Sequence, residues 1–577
     1  MEQEIGRMVP VGKGRMKIII GLPPKLKKGQ PVALDVELFH AERKRLHRVT
    51  GKFACLSICF DPSVVYLVEN EKDVPKALAL VKEGLWLFHN AHFDIFHLRR
   101  FARVPDVKFW DTMIIEKELF AGYYDSFGLE DVARRWLNEE MSKEDVKLFG
   151  KADAMTSEMR RYTARDARTT LLIQRKQAPL YPQVKELYET IDRPALFAVL
   201  RFGGMYLDKE AWTTLATKNQ KDTDDMREEF DFNPNSPKQV YKALQEHGIS
   251  HLRSTNAKHL ERHQGDKMVD DVLSYRKSAK MARTYGMNFL DMVEEDGRIH
   301  AGFHVIGAVT GRFSSYNPNF QNIPVRSGDD FRKCFIAPRG RRLVIADYSQ
   351  QEPRINAVQA GDTKMIELFK QGGNIYINVT KEVFGKVITK ADPLYKHMKS
   401  MILGLSYGLS EKGLAMHEKI SEIEARRLIQ RYLWAFPKQK RYMDRARQFS
   451  DAFLTAPGGK KIYINKHAFN FSNFVLDYPA QGGAANCSKR ALIYIDAEIR
   501  KQKLDAFLVN FVHDEFVVEC AAECAKKVAE MVYTCMVRAA VEIVPEVPAE
   551  AEVFVGTKWS DKDIKAKQIH FKTKRGV

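Results

Sequence analysis

The sequence predicts a multidomain α/β protein, and three observations carry that expectation. At 577 residues the chain exceeds what one hydrophobic core accommodates. Apolar runs of strand length alternate with helical periodicity up to about Leu180. Short strands of buried type return after Gly297, on either side of a long helix-rich stretch. The composition, 45% hydrophobic and 29% charged with 34 Gly and 22 Pro, is that of an ordinary globular chain rather than a disordered or fibrous one.

Residues 1–30, with Pro23-Pro24, Lys25, Lys27-Lys28 and Gly29, read as an irregular basic lead-in, and regular structure is expected to begin near Pro31. Strands are expected at residues 32–34, 53–60 and 85–88, with helices between and after them, which makes a compact α/β domain of residues 1–185. From residue 186 to 293 helical periodicity and charge dominate, notably at 239–247 and 271–294. Strands return at 343–346, 508–512 and 516–518, and the sequence from Met365 to Arg447 between them is helical in pattern. One sheet interrupted by a helical insertion fits this order.

Lys plus Arg number 92 against 74 Asp plus Glu, a formal net charge of +18, which favours a polyanionic partner such as nucleic acid or an anionic membrane surface. No apolar run approaches the roughly 18 residues of a membrane span. Ile18-Ile19-Ile20 is too short, and too closely flanked by Lys and Pro, for a signal peptide. No membrane partner is therefore expected. The seven cysteines are scattered and contain no CxxC pair, the usage of reduced thiols in a cytoplasmic protein.

Two constellations carry chemistry. In the first, Asp35 and Glu37 end an apolar strand, and alternation puts both on one face, where they can grip one divalent metal. Taken alone this is weak: Asp496 and Glu498 repeat the spacing in helical sequence, where it points the carboxylates apart. Order strengthens it. After the strand at 85–88 comes Asn90-Ala91-His92-Phe93-Asp94, and further on Tyr162 and Asp166 stand at i and i+4 on one helix face. Two metal ions about 4 Å apart need several hard oxygen ligands, and a tyrosine hydroxyl beside them can orient an attacking water, as in a phosphodiester hydrolase. Asp111 reads as a strand-end cap rather than a ligand.

In the second constellation the buried-type strand 343–346 ends in Asp347, and the strands 507–512 and 516–518 are hinged at His513-Asp514-Glu515. A carboxylate ending a buried strand is costly unless something positive meets it. If the two elements are neighbours in one sheet, Asp347 and Asp514 can hold a pair of Mg²⁺ ions between them. Between these segments Lys396, Lys399, Leu403 and Tyr407 fall on one helical stripe, offering two ammonium groups, an apolar surface and an aromatic ring to a nucleotide. A plain core helix explains Leu403 and Tyr407 but has no use for Lys399 on that stripe.

The series DxE, NxxFD and YxxxD resembles the DEDD 3′-to-5′ exonucleases of the tyrosine variety, which implies a ribonuclease-H-like domain with Asp35, Glu37, Asp94 and Asp166 as metal ligands and Tyr162 as a catalytic group. Asp347-Tyr348-Ser349-Gln350-Gln351-Glu352, then Lys399 through Gly404 to Tyr407-Gly408, then Val512-His513-Asp514-Glu515 are similar, in order, to motifs A, B and C of the family A, polymerase-I-like, DNA polymerases. Thr310-Gly311-Arg312-Phe313-Ser314-Ser315 and Asn317-Pro318-Asn319-Phe320-Gln321-Asn322-Ile323-Pro324 extend the likeness, as do Tyr275, Arg276, Lys280, Thr284 and Tyr285, and Gln481-Gly482, Gly556 and Trp559.

That resemblance implies a right-hand polymerase domain at 186–577, with a thumb at about 200–295, a palm at about 296–365 and 478–577, and fingers at about 366–477. Asp347, Asp514, Glu515 and Lys399 would be catalytic, with Asp347, Tyr348 and Asp514 on the metals. The dNTP would meet Tyr348, Gln350, Glu352, Lys396, Lys399, Leu403 and Tyr407. Primer-template DNA would meet Lys280, Thr284, Arg312, Asn317, Gln321, Asn322, Gln481 and His513. Two Mg²⁺ or Mn²⁺ ions are expected in each site, a single-stranded 3′ end in the exonuclease site, and a processivity factor or helicase as candidate partner of a monomer. No 5′-nuclease domain is read ahead of the exonuclease segment, so the expectation is a compact bacteriophage or plasmid replication enzyme working in the cytoplasm, of the host if viral.

The departures from the family are Tyr395, four residues before Lys399 where an arginine is usual, Leu403 for Phe or Tyr, Gln351 and Pro353 for apolar residues, and Tyr376 for histidine. Two other readings stand beside the polymerase: an exonuclease whose second half is only a DNA clamp, and a nonenzymatic DNA-binding protein. Intact Asp347 and Asp514 oppose the first. The second leaves acidic clusters without purpose near phosphate.

Overall fold

The computed structural model describes residues 8–11, 14–39, 51–104, 108–141, 145–150, 152–249, 251–324, 331–465, 467, 471–564 and 567–571. Two sheets organise it, each covered by helices.

The first sheet has seven strands in the order β1-β2-β5-β4-β3-β6-β7: β1 Met8–Val11, β2 Gly14–Ile20, β3 Pro31–Phe39, β4 Lys52–Asp61, β5 Val64–Val68, β6 Leu85–Phe88 and β7 Phe109–Asp111. β3 is central because it has no wet face: Val32, Ala33, Leu34, Val36 and Leu38 are all at most 2% exposed. It pairs antiparallel with β4 and parallel with β6. The helix Ser157–Gln177 packs across β3 and β4, with Thr156 as N-cap accepting from Met159 N at 3.2 Å. The expectation of an irregular lead-in over residues 1–30 is corrected here. Gly14–Ile20 is a strand paired in parallel with β5, and Met16 is fully buried. The Ile18-Ile19-Ile20 run is the apolar part of that strand, and its partner lies more than forty residues on, beyond the reach of local pattern.

The second sheet is antiparallel throughout, in the order Ala506–Val512, Glu515–Ala521, Arg341–Tyr348, Ala551–Gly556, Gln568–Ile569. Glu515–Ala521 is buried along its whole length. The long helix Phe471–Lys501 and the helix Ala525–Ile543 pack on one another, and the latter lies against the central strands. Seven helices between Gln351 and Arg447 form the helical insertion, including Ile375–Phe384 and Pro393–Ser406. The helices Lys209–Glu228 and Lys267–Thr284 pack on each other in an arm whose base, at Trp212 and Ala216, is buried against the second sheet. No helix among the described residues is long and apolar enough to cross a membrane.

Candidate active sites

The first site gathers on β3. Asp35 and Glu37 share a face of the strand, two residues apart. Asp94 lies in the first turn of the helix Ala91–Phe101, and its Oδ1 accepts from Val36 N at 3.0 Å, which ties that helix to the strand between the two acids. Tyr162 and Asp166 stand one turn apart on Ser157–Gln177. Thr163, between them, donates to Asp35 Oδ2 at 3.2 Å and so anchors this helix to the same carboxylates. Burial first, then the charges of Asp35 and Glu37, push the Asp94 carboxyl well above its ordinary range. A buried carboxyl raised by two neighbouring carboxylates, in a set whose donors are all hard oxygens, fits a divalent cation. Asp111 caps instead, accepting from Ala91 N at 2.7 Å, Met113 N at 2.9 Å and Ile114 N at 3.1 Å.

The second site gathers at one end of the second sheet. Asp347, the penultimate residue of Arg341–Tyr348, is paired with Glu515 on the neighbouring strand. A two-residue connection, His513-Asp514, joins the strands on either side of it, with His513 at φ +59°. The two aspartates named by the sequence are therefore neighbours. Burial, then the charge of Asp347, pushes the Asp514 carboxyl well up. Asp347 Oδ1 is buried, and the raised Asp514 carboxyl stands within hydrogen-bond reach of Asp347. These residues also fit a divalent cation.

Gln350, at φ +55°, turns the chain sharply from this strand into the helix Gln351–Gln359, so Glu352 sits in the first helical turn. Glu352 is gripped from two sides, by the Arg312 guanidinium and the Tyr407 hydroxyl. Gln350 Oε1 accepts from Ile375 N at 2.8 Å and fastens the helical insertion to the sheet. A cavity of about 350 Å³ opens here, lined by Gln350, Glu352, Leu403, Arg312, His513 and Asp514, with Tyr376, Gln351 and Pro353 also in its wall. Thus four of the five positions that depart from the family pattern, all but Tyr395, face the same space as those that follow it. Tyr395 brings no charge there; its hydroxyl accepts from Asn374 Nδ2 at 3.2 Å and its ring packs edge-on against Tyr376. Lys396 and Lys399 are exposed on Pro393–Ser406, and the Lys396 ammonium lies 3.7 Å from buried Glu418. The Tyr348 phenol points away into the core, donating to Met536 O at 2.8 Å, so the side chain is spent away from the site.

Of the residues expected at DNA, Lys280 and Thr284 are exposed one turn apart on Lys267–Thr284; Arg276 and Tyr275, which belong only to the series that extends the family likeness, are spent inside the arm, on Pro234 O at 2.7 Å and Asn235 Nδ2 at 3.1 Å. Asn317 precedes a cis proline at φ +50°. Gln321 donates to Phe313 O at 2.9 Å, Asn322 is exposed, with its carbonyl accepting from Tyr285, and Gln481 is held by Asp477 at 2.7 Å.

Sequence reasoning misses the cations beneath the second site. Lys562 Nζ lies 2.5 Å from Asp347 Oδ2 and 2.7 Å from Glu515 Oε2. Glu515 Oε1 further accepts from Trp559 Nε1 at 2.6 Å and lies 3.5 Å from Arg332, whose guanidinium stacks over Trp559 at 4.1 Å. From sequence, Lys562 is only the start of a basic tail running to Arg575, and residues 565–566 and 572–575 of that tail lie outside the described residues. The one available signal is the burial cost of Asp347, which demands a cation without naming it.

Known proteins resemble this chain over both of these regions. The family description "DNA polymerase family A" matches residues 207–561, and "3'-5' exonuclease" matches residues 22–179. DNA polymerase I of Aquifex aeolicus is 31% identical over 533 residues, which is 85% of this chain and 90% of that protein. DNA polymerase I of Chloroflexus aurantiacus is 30% identical over 82% of this chain, and the thermostable enzyme of Thermus aquaticus 30% over 65%; the chain spans only about half the length of each, 54% and 48%. Among solved structures, the POL domain of Pol1 from M. smegmatis, in complex with DNA primer-template and dNTP, superposes with a TM-score of 0.79 at 24% identity, over 92% of this chain and 96% of that one.

Proposed function

Since the chain belongs to DNA polymerase family A and carries a 3′-to-5′ exonuclease domain ahead of the polymerase domain, we propose that it extends a primer 3′ end with dNTPs on a DNA template and excises 3′-terminal nucleotides at the separate site on β3. The observation that carries the reading is the 350 Å³ cavity in which Asp514, Glu352, Leu403 and Arg312 converge beside Asp347.

Asp347 and Asp514 would hold divalent metal, Mg²⁺ or Mn²⁺ and two ions in number, at the polymerase site, and Asp35, Glu37, Asp94 and Asp166 would do so at the exonuclease site. When bound, the metal lowers the pKa of the attacking hydroxyl or water and neutralises charge on the phosphate. The chain's own residues do the rest. Lys399 and Lys396 bring ammonium groups to the triphosphate, as point charges in place of the family's arginine fork. Glu352, immobilised by Arg312 and Tyr407, walls the cavity where the sugar would enter, so a 2′-hydroxyl meets a fixed carboxylate. Tyr162, on the helix that Thr163 anchors to Asp35, orients the water at the exonuclease site. Lys280, Thr284, Asn317, Gln321, Asn322, Gln481 and His513 belong to the path of the duplex, holding it largely through phosphate.

The proposed layout is an exonuclease domain at 1–185, with Gly14–Ile20 among its strands, and a polymerase domain at 186–577 with thumb, palm and fingers bounded as the sequence implies. A phage or plasmid replication setting is part of the same proposal.

The test is primer extension and 3′-end degradation by the wild type, Asp347→Ala and Asp35→Ala. Asp347→Ala should abolish synthesis and spare degradation, and Asp35→Ala should do the reverse. Loss of both activities in either variant would overturn two independent sites.

A further inference from the structure

The Lys562 ammonium is placed where the polymerase reading puts a metal ion. It bridges Asp347 Oδ2 and Glu515 Oε2, at 2.5 and 2.7 Å. Its backbone has little freedom. Asp561, next to it, accepts from Thr557 N at 2.8 Å and Lys558 N at 3.0 Å, and Trp559, three residues before it, is fully buried and tied to Glu515. The side chain is different: it is 23% exposed and made of single bonds with staggered wells, so the ammonium can swing outward while the backbone stays. It is also an incomplete partner, because it meets Asp347 through Oδ2 alone and leaves the buried Oδ1 to the side that Asp514 occupies.

We propose that Lys562 is an exchangeable counter-cation of the polymerase site: it neutralises Asp347 and Glu515 while no metal is bound, and divalent metal displaces it. The inference rests on the polymerase reading above and adds to it a residue that sets how tightly the site takes metal. Like charges exclude each other at contact distance, so an ammonium between these carboxylates and a divalent ion on Asp347 are alternatives. Holding the carboxylates together without metal is the benefit to the empty enzyme; weaker metal binding is the consequence.

The experiment measures Mn²⁺ binding directly, by the electron paramagnetic resonance signal of free ion, on the full chain carrying Asp35→Ala and Glu37→Ala to silence the exonuclease site. In that background Asp514→Ala identifies the ions that belong to the polymerase site. Lys562→Met should bind Mn²⁺ at least about tenfold tighter there, as expected for removing one unit charge near contact. Lys562→Arg, whose planar fork grips two carboxylates harder, should bind it more weakly than wild type. The metal-free unfolding midpoint should fall in Lys562→Met and return to the wild-type value with saturating Mn²⁺. Should Lys562→Met fold only when Mn²⁺ is present, the counter-cation role is supported equally. Equal or weaker Mn²⁺ binding in Lys562→Met overturns the inference while leaving the polymerase reading intact. If no binding is lost on Asp514→Ala, the metal assignment itself is overturned and this inference falls with it.

Discussion

Asp477 shows how a single carboxyl reports the electrostatics of the cleft. It holds Gln481 by two contacts of 2.7 Å, and burial, opposed by that amide and reinforced by the charge of Glu352, pushes its pKa up to about 6 from an ordinary 3.8. A raised carboxyl keeps its proton more tightly in the folded chain, so its contribution is fully present below about pH 4 and is lost as pH climbs through 6. Asp477→Asn retains an acceptor for Gln481 and carries no charge. The variant should therefore match wild type at pH 4 and exceed it at pH 8 by about 1 to 3 kcal/mol, since each tenfold change in proton affinity is worth about 1.4 kcal/mol and the group is partly exposed. Urea melts of the DNA-free protein at both pH values check this. Parallel stability curves, with no divergence between pH 4 and 8, would show that Asp477 titrates normally. At this scale the sequence names Asp347, Asp514, Glu352 and Gln481 because each sits in a motif. It cannot name Asp477 or Lys562, which acquire their roles from neighbours in space.

Among elements, the long helix Phe471–Lys501 is fixed in place by charge as well as by packing. Lys489 Nζ lies 2.6 Å from Asp192 Oδ1, with side chains 1% and 0% exposed, and Lys460, in the hairpin between Phe453–Thr455 and Lys461–Tyr463, pairs with buried Glu118 of the exonuclease side. Removing one partner strands a buried charge, whereas removing both does not. Lys489→Met should destabilise by about 3 to 5 kcal/mol, and Lys489→Met with Asp192→Leu should regain most of the loss. Guanidinium unfolding of the two single variants and the double variant completes the cycle; purely additive losses would show that the pair is not coupled. The strands and helices themselves are largely legible in the sequence, since β3, β4, β6, the helix of Tyr162 and the hairpin at His513-Asp514 follow from periodicity and turn chemistry. Their partners are not. Lys489 is 297 residues from Asp192 and Lys460 is 342 from Glu118, distances over which a single sequence carries no pairing signal.

At the scale of the whole molecule the excess of 18 positive charges is a statement about how the chain meets DNA. Phosphate contacts release condensed counterions, so affinity falls on a log-log plot against salt with a slope of about −0.9 for each phosphate neutralised. The arm formed by Lys209–Glu228 and Lys267–Thr284 presents Lys280 and Thr284 to solvent, one turn apart on the same helix. Lys280→Ala should therefore reduce the magnitude of that slope by about 1, and weaken primer-template binding uniformly across sequences. Lys562→Met should leave the slope unchanged, because its ammonium is already neutralised by Asp347 and Glu515 and no phosphate is needed to account for it. Fluorescence anisotropy of a labelled primer-template, titrated from about 50 to 200 mM NaCl without divalent metal, separates the two. If Lys280→Ala keeps the wild-type slope, the arm does not hold the duplex by that residue, and the path proposed for DNA must run along another face of the molecule.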